Sequence, residues 1–216
     1  MSDQADRQRA ALDRMAKDDP ELAARLILMT MPGAASKIGG TMSYVLDVKE
    51  LGAHRISISG GRARVDRVQS GDDEDVDFRL QADARTLADL VTGAHGPLGL
   101  MMRGRMRIRG KRRKALKLRK MSSGELSMAD VVEAGGTLDP DVLYRSLPYL
   151  IDADWTKGHA FTAKYVVTGE GGGTWYVTVR DGEPLEVTQE DREPVGTATR
   201  GWIRRAASAA SCAVIT

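Results

Sequence analysis

Three histidines, one cysteine and thirty acidic residues are the groups in this 216-residue chain whose types invite a search for catalysis. His54, His95 and His159 lie far apart, and none falls in a metal-ligand spacing such as His-Glu-x-x-His. His54 opens a strand pattern and His159 sits in a Gly-flanked loop, so all three read as structural or surface histidines. Cys212 lies in the C-terminal tail with no partner to activate it. A lone cysteine also excludes an internal disulfide and a multi-cysteine zinc site. No Gly-x-Ser-x-Gly elbow occurs. The carboxylate runs Asp72-Asp73-Glu74-Asp75 and Glu190-Asp191 fall in turns, where solvated charge is expected. Glu170-Gly171-Gly172-Gly173 lacks the phosphate-loop pattern and joins two strands, so its glycines serve turn geometry. The expectation is a protein without catalytic residues, metal or cofactor, and so not an enzyme.

Binding chemistry is better represented. Residues 103–120, RGRMRIRGKRRKALKLRK, hold eleven Lys or Arg among eighteen residues and no acid. The chain has 32 basic and 30 acidic residues, so without this block 21 bases face 30 acids. A local basic surface of that kind suits a polyanion or an anionic membrane. Yet Met106 and Ile108 alternate with Arg105, Arg107 and Arg109, the period of a strand with one buried face. Nucleic-acid binding is the weaker reading of the charge. No aromatic residue stands in the block for base stacking, and no helix-turn-helix, zinc finger or ribonucleoprotein signature accompanies it. The apolar inventory beside it is the other lead. Leu87, Leu90 and Val91, then Leu98, Met101 and Met102, then Met106 and Ile108, supply adaptable side chains that suit a lipid tunnel or an ordinary core.

Elements that position these residues follow from periodicity. Residues 1–20 form a charged arm ending at Asp18-Asp19-Pro20, and Leu22, Leu26, Ile27 and Met29 give a helical face that Pro32-Gly33 ends. Met42 to Val48, Arg55 to Ser59, Ala63 to Val68 and Val76 to Leu80 alternate as strands, with Gly60-Gly61 as a hairpin turn. Asp83 caps a helix bearing Leu87, Leu90 and Val91, which Gly93 ends. A short helix around Leu98–Met102, the basic strand and a last helix close the unit. This order predicts an α+β fold: a mostly antiparallel five-stranded sheet covered by helices on one face.

Residues 121–140 read as a linker with a short helix around Val131. Beyond it the pattern restarts: a helix from Val142 to Ile151, strands through Phe161–Val167 and Trp175–Val179, and a turn at Asp181-Gly182. An offset of 121 sets Met42–Val45 against Ala163–Val166, Ile56 and Ile58 against Val177 and Val179, and Gly61 against Gly182; Val76 meets Val195 at an offset of 119. This reads as a tandem repeat whose second unit, 141–216, is incomplete and lacks the basic block.

The run Leu98-Gly99-Leu100-Met101-Met102-Arg103-Gly104-Arg105-Met106-Arg107-Ile108-Arg109-Gly110, followed by Ala115-Leu116-Lys117-Leu118, resembles the closing pattern of the sterol carrier protein-2 family. The strand and helix before it sit where that family places them. The resemblance covers about 22–120, with a weaker partial match over about 141–205. It implies an α+β fold around an apolar cavity for a sterol, fatty acid or acyl-CoA, and lipid transfer or presentation without chemistry. The density of arginine and the unfinished second copy depart from the family pattern.

Four segments result: an arm at 1–20, a lipid-binding domain at 21–120, a linker at 121–140 and a partial second domain at 141–216. The leading expectation is a lipid or acyl ligand held by Leu87, Leu90, Val91, Leu98, Met101, Met102, Met106 and Ile108. Arg103, Arg105, Arg107, Arg109, Arg112 and Arg113 would face head groups or a membrane. The alternatives are a structural or regulatory interaction domain whose cavity is self-filled, and a nucleic-acid binder. The charged start MSDQADRQRAALDRMAKDD has no apolar core of a signal peptide, and Leu26 to Met31 is too short to span a bilayer, so a cytoplasmic protein is expected. Oligomeric state is not legible.

Overall fold

Asp19 accepts a hydrogen bond from the Leu22 backbone N–H at 3.0 Å, and Pro20 fills the first helical position, where no N–H is needed. This pair starts α2 (Pro20–Ala35), the main apolar helix of the first unit. The computed structural model describes residues 3–35, 39–69, 71, 75–115, 118, 128–169 and 171–191. The chain divides into two units, Met1–Leu138 and Asp139–Thr216.

In the first unit, α1 (Asp3–Asp18) packs on α2 and on α3 (Ala84–Thr92), burying Ala11, Met15 and Ala16. The charged arm is therefore an integral helix with one apolar side. α2 does not stop at Pro32-Gly33 but runs on to Ala35. A proline inside a helix costs one backbone hydrogen bond, and here packing offsets it. A β-carbon on Gly33 would lie 3.1 Å from the Val131 backbone nitrogen, and one on Gly136 would lie 3.0 Å from the Pro32 ring. The Pro32-Gly33 step is the notch into which α6 (Met128–Glu133) fits, with Val131 fully buried.

Five strands follow: β1 (Met42–Val48), β2 (Gly52–Ser59), β3 (Arg62–Val68), β4 (Phe78–Ala82) and β5 (Arg107–Gly110). Their order across the sheet is β3-β2-β1-β4-β5. The sheet is mostly antiparallel, as expected, with one parallel pair at its centre. β1 and β4 run parallel, pairing Tyr44 with Phe78 and Leu46 with Leu80, while the other pairs are antiparallel. Alternation reports which face a residue takes but not which strand lies beside it. The chain leaving β3 passes β2 and β1 before β4 adds to the far edge of β1. The Tyr44 and Phe78 rings stack at 4.8 Å on the buried face.

Helix α3 has the ends its sequence announced. Asp83 accepts from the Thr86 backbone N–H at 2.6 Å, and Gly93 adopts φ +75° to accept the left-handed cap. After α4 (Pro97–Met102), β5 and α5 (Arg112–Ala115), one carboxylate ties the edge together. Asp77 accepts from Lys114 Nζ at 2.7 Å, Lys111 Nζ at 3.0 Å and the Ser43 backbone N–H at 3.2 Å. The Lys114 hydrogen bond, aided by those of Lys111 and Ser43, outweighs burial and pulls the Asp77 carboxyl down to about 2. A depressed folded-state value adds stability above the unfolded carboxyl range, lost as pH falls from about 4 towards 2. With Lys111 largely exposed, solvent screening leaves roughly 1 kcal/mol of it. Asp77→Asn should lower stability by that amount at neutral pH and flatten the acid limb of a pH-dependent urea midpoint. An unchanged acid limb would assign it to other carboxyls.

The second unit contains α7 (Pro140–Leu150), capped by Asp139, a 3-10 turn at Ala153–Trp155, and β6 (Phe161–Val167), β7 (Gly173–Val179) and β8 (Glu186–Thr188) in an antiparallel β6-β7-β8 sheet. Its core is Trp175 stacked on Tyr144 at 4.8 Å, with Phe161, Val177 and Val179 around it. Helix and three strands follow one another here as in α2 and β1–β3. The 121-residue offset, however, is not kept in the pairing register: Met42 pairs with Ile58, whereas Ala163 pairs with Val177 rather than Val179. The Val195 alignment, Cys212 and the tail lie outside the described residues.

Candidate functional site

The site begins with the apolar face of the first sheet. Tyr44 and Leu46 on β1, Leu80 on β4 and Ile108 on β5 share that face through the β1–β4 and β4–β5 registers. α2 lays Ile27, Thr30, Met31 and Ala34 over it, and α3 adds Leu87, Leu90 and Val91. The α3–α4 loop closes one side with Gly93, His95, Gly96 and Pro97, while Met106, Ala115 and Leu118 close another. Between them lies a cavity of about 260 Å³. It exceeds the roughly 150 Å³ apolar cavity that takes up benzene.

Five residues expected at a ligand stand on this wall: Leu87, Leu90, Val91, Met106 and Ile108. Leu98, Met101 and Met102 do not. α4 has only six residues and turns Leu100 inward, fully buried, so positions two away on either side face outward. Leu98 is 69% exposed and Met102 81%, adjacent on one side of the helix. Composition marked them as apolar but could not assign a side. The contribution of α2 was missed. Its helical face was legible, but nothing in the sequence says that Ile27, Met31 and Ala34 border a space rather than fill one.

The arginines also divide. Ile108 points into the cavity, so the pleat sends Arg107 and Arg109 to the opposite face of the sheet, beside Gln81 and Arg79. These two do not border the cavity as expected. There Arg79 donates to Asp47 at 2.9 Å and Gln81 donates to the same oxygen at 3.0 Å. Burial raises the Asp47 carboxyl, but these bonds and the Arg79 charge outweigh it and hold the group below its usual range. Arg105 is engaged with Asp89 at 2.8 Å. Arg103 and Arg113 are exposed, Arg103 directly after the Leu98–Met102 face. The Arg112 side chain lies outside the described residues.

Polar atoms on the cavity wall are mostly committed. The Thr30 hydroxyl donates to the Leu26 and Ile27 carbonyls, each at 3.0 Å. The Tyr44 hydroxyl meets Met31 Sδ at 3.8 Å, and burial drives its phenol far above the usual range. The His95 imidazole places Nδ1 3.5 Å from Asp89 Oδ2, the oxygen that Arg105 also contacts. Among the described residues no group of three acidic, histidine or cysteine side chains could hold a metal. Among them, too, no helix is long and apolar enough to cross a membrane.

No curated protein matches the chain by sequence. Among solved structures, the sec-alkylsulfatase Pisa1 from Pseudomonas sp. is 11% identical with a TM-score of 0.37, covering 43% of this chain and 14% of its own. Sterol Carrier Protein-2 like-3 from Aedes aegypti is 15% identical with a TM-score of 0.34, covering 44% of this chain and 90% of its own. Sterol Carrier Protein 2 from Yarrowia lipolytica, in its apo form, is 14% identical with a TM-score of 0.29, covering 56% and 93%. The sequence itself is more direct: residues 24–122, the stretch that builds the sheet and cavity, match the family model of the SCP-2 sterol transfer family.

Proposed function

We propose that the first unit holds one lipid of the sterol, fatty-acid or acyl-CoA class in its cavity and carries or presents it without catalysis, in the cytoplasm. The observation that carries this reading is the cavity of about 260 Å³ walled by α2, α3 and the apolar face of the sheet. The family match over residues 24–122 supports it. A self-filled interaction domain would place its side chains in that space. Loading occurs at an anionic membrane surface. Leu98 and Met102, both exposed, offer a small apolar face, and Arg103 beside them adds a cation worth about 1 kcal/mol near anionic lipid.

Uptake of cis-parinaric acid from vesicles tests both parts. We expect saturable fluorescence gain at one site per chain, with faster loading when phosphatidylglycerol is mixed into phosphatidylcholine. No saturable signal from either vesicle would overturn the lipid reading. Equal rates from both would remove only the membrane part.

A further inference from the structure

We propose that His95, backed by Asp89 and Arg105, is the head-group site of the cavity and selects single-chain amphiphiles ending in a carboxylic acid. This rests on the lipid-binding reading above and narrows it.

The polar atoms of the wall lead to this assignment. Thr30 and Tyr44 spend their hydroxyls on α2, as described. The loop backbone is also engaged: Gly93 N–H donates to the Leu90 carbonyl at 3.3 Å, His95 N–H to the Asp89 carbonyl at 3.3 Å, and the Gly96 carbonyl accepts from Leu100 at 3.1 Å. Among the polar side chains of the wall, the imidazole remains. Its Nδ1 is buried, lacks a hydrogen bond of good geometry and faces Asp89 Oδ2 at 3.5 Å. The ring stands on the cavity wall with its side chain 37% exposed, and no described residue bonds Nε2, which leaves this atom open to a guest.

The charges decide which guest. Arg105 neutralises Asp89 at 2.8 Å, so the cluster is neutral with a neutral imidazole and singly positive with a protonated one. A carboxylic acid meets either state. Its O–H donates to a neutral Nε2, or its carboxylate accepts from a protonated one, and one proton lies between the two groups in both cases. An alcohol can donate to a bare Nε2 or accept from Nε2–H, but brings no charge of its own. A methyl ester can only accept, through a weaker acceptor than a carboxylate, and leaves Nε2 unpaired when the ring carries its proton on Nδ1. Cavity size sets the tail. About 260 Å³, against roughly 150 Å³ for a benzene-sized space, suits a flexible chain better than a rigid fused-ring body.

The test is displacement of Nile red, a neutral probe, from the full chain by dodecanoic acid, dodecanol and methyl dodecanoate. Wild type should prefer the acid to the ester by about tenfold, the usual weight of a charge-assisted hydrogen bond, with the alcohol between. His95→Phe should abolish the preference, so that acid and ester compete equally. His95→Gln, which donates but takes no proton, should fall between and serves if the Phe variant does not fold. Equal competition by acid and ester in wild type, or an acid preference that survives in both variants, overturns the head-group site and leaves lipid binding standing. If Nile red binds saturably and none of the three displaces it, or if it does not bind, the cavity reading fails and this inference fails with it.

Discussion

Val91→Trp should abolish lipid uptake, or weaken it by at least tenfold (about 1.4 kcal/mol), while the protein keeps its fold. Val91 sits half-buried on α3 with its side chain on the cavity wall, so an indole there projects into the space that the ligand needs. Overpacking a filled core costs about 1–3 kcal/mol. Here the added ring meets a void, and its extra burial of roughly 25 cal/mol per Å² works in the fold's favour. The expected pair of results is therefore loss of saturable cis-parinaric acid fluorescence with a thermal midpoint within a few degrees of wild type. Full uptake by the variant would move the ligand elsewhere, and collapse of the fold would show the space to be tightly filled.

The second large effect belongs to the other unit. Trp175→Ala should cost about 3–5 kcal/mol, the range for truncating a buried large aromatic. Trp175 is 2% exposed and stacked on Tyr144 at 4.8 Å. Gly173 is shaped to it: a β-carbon there would stand 2.9 Å from the indole. A unit of this length holds only about 4–12 kcal/mol in all, so the variant should lose most of its near-ultraviolet dichroism from these rings at low urea. Trp175→Phe should cost far less. It keeps a ring against Tyr144 and removes an indole N–H that is buried with no hydrogen-bond partner among the described residues. If Phe proved as damaging as Ala, the indole nitrogen would have a role beyond packing. Retained lipid uptake in Trp175→Ala would locate binding in the first unit.

Much of this was legible because local rules and packing agree in most of the first unit. Alternation at Met42–Val48, the Gly60-Gly61 turn, and Asp83 and Gly93 bounding α3 each reflect a single short-range preference. Where two preferences conflict, the packed one prevailed. Pro32 argues for a helix end, yet the fit of Gly33 against Val131 carries α2 through it. Pairing of β1 with β4 depends on chain path, on which periodicity is silent. The cavity was half visible. The α3 and β5 positions followed from spacing, but the α2 wall comes from residues some sixty to eighty positions away, and three apolar residues of α4 drew attention to the wrong side. The nearness of His95 to Asp89 was not legible, because Asp89 is an ordinary helix residue until the loop folds back.

The α6 clip on α2 also bears on where this protein can be divided. The match to a known family ends at residue 122, but Val131 on α6 is buried against the Pro32-Gly33 notch. A fragment cut at 122 would leave that notch bare and its apolar lining open to association with other chains. A fragment ending at Leu138 carries its own cover. The compact unit is thus longer than the stretch by which relatives are recognised, and a 1–138 fragment is the one expected to fold alone.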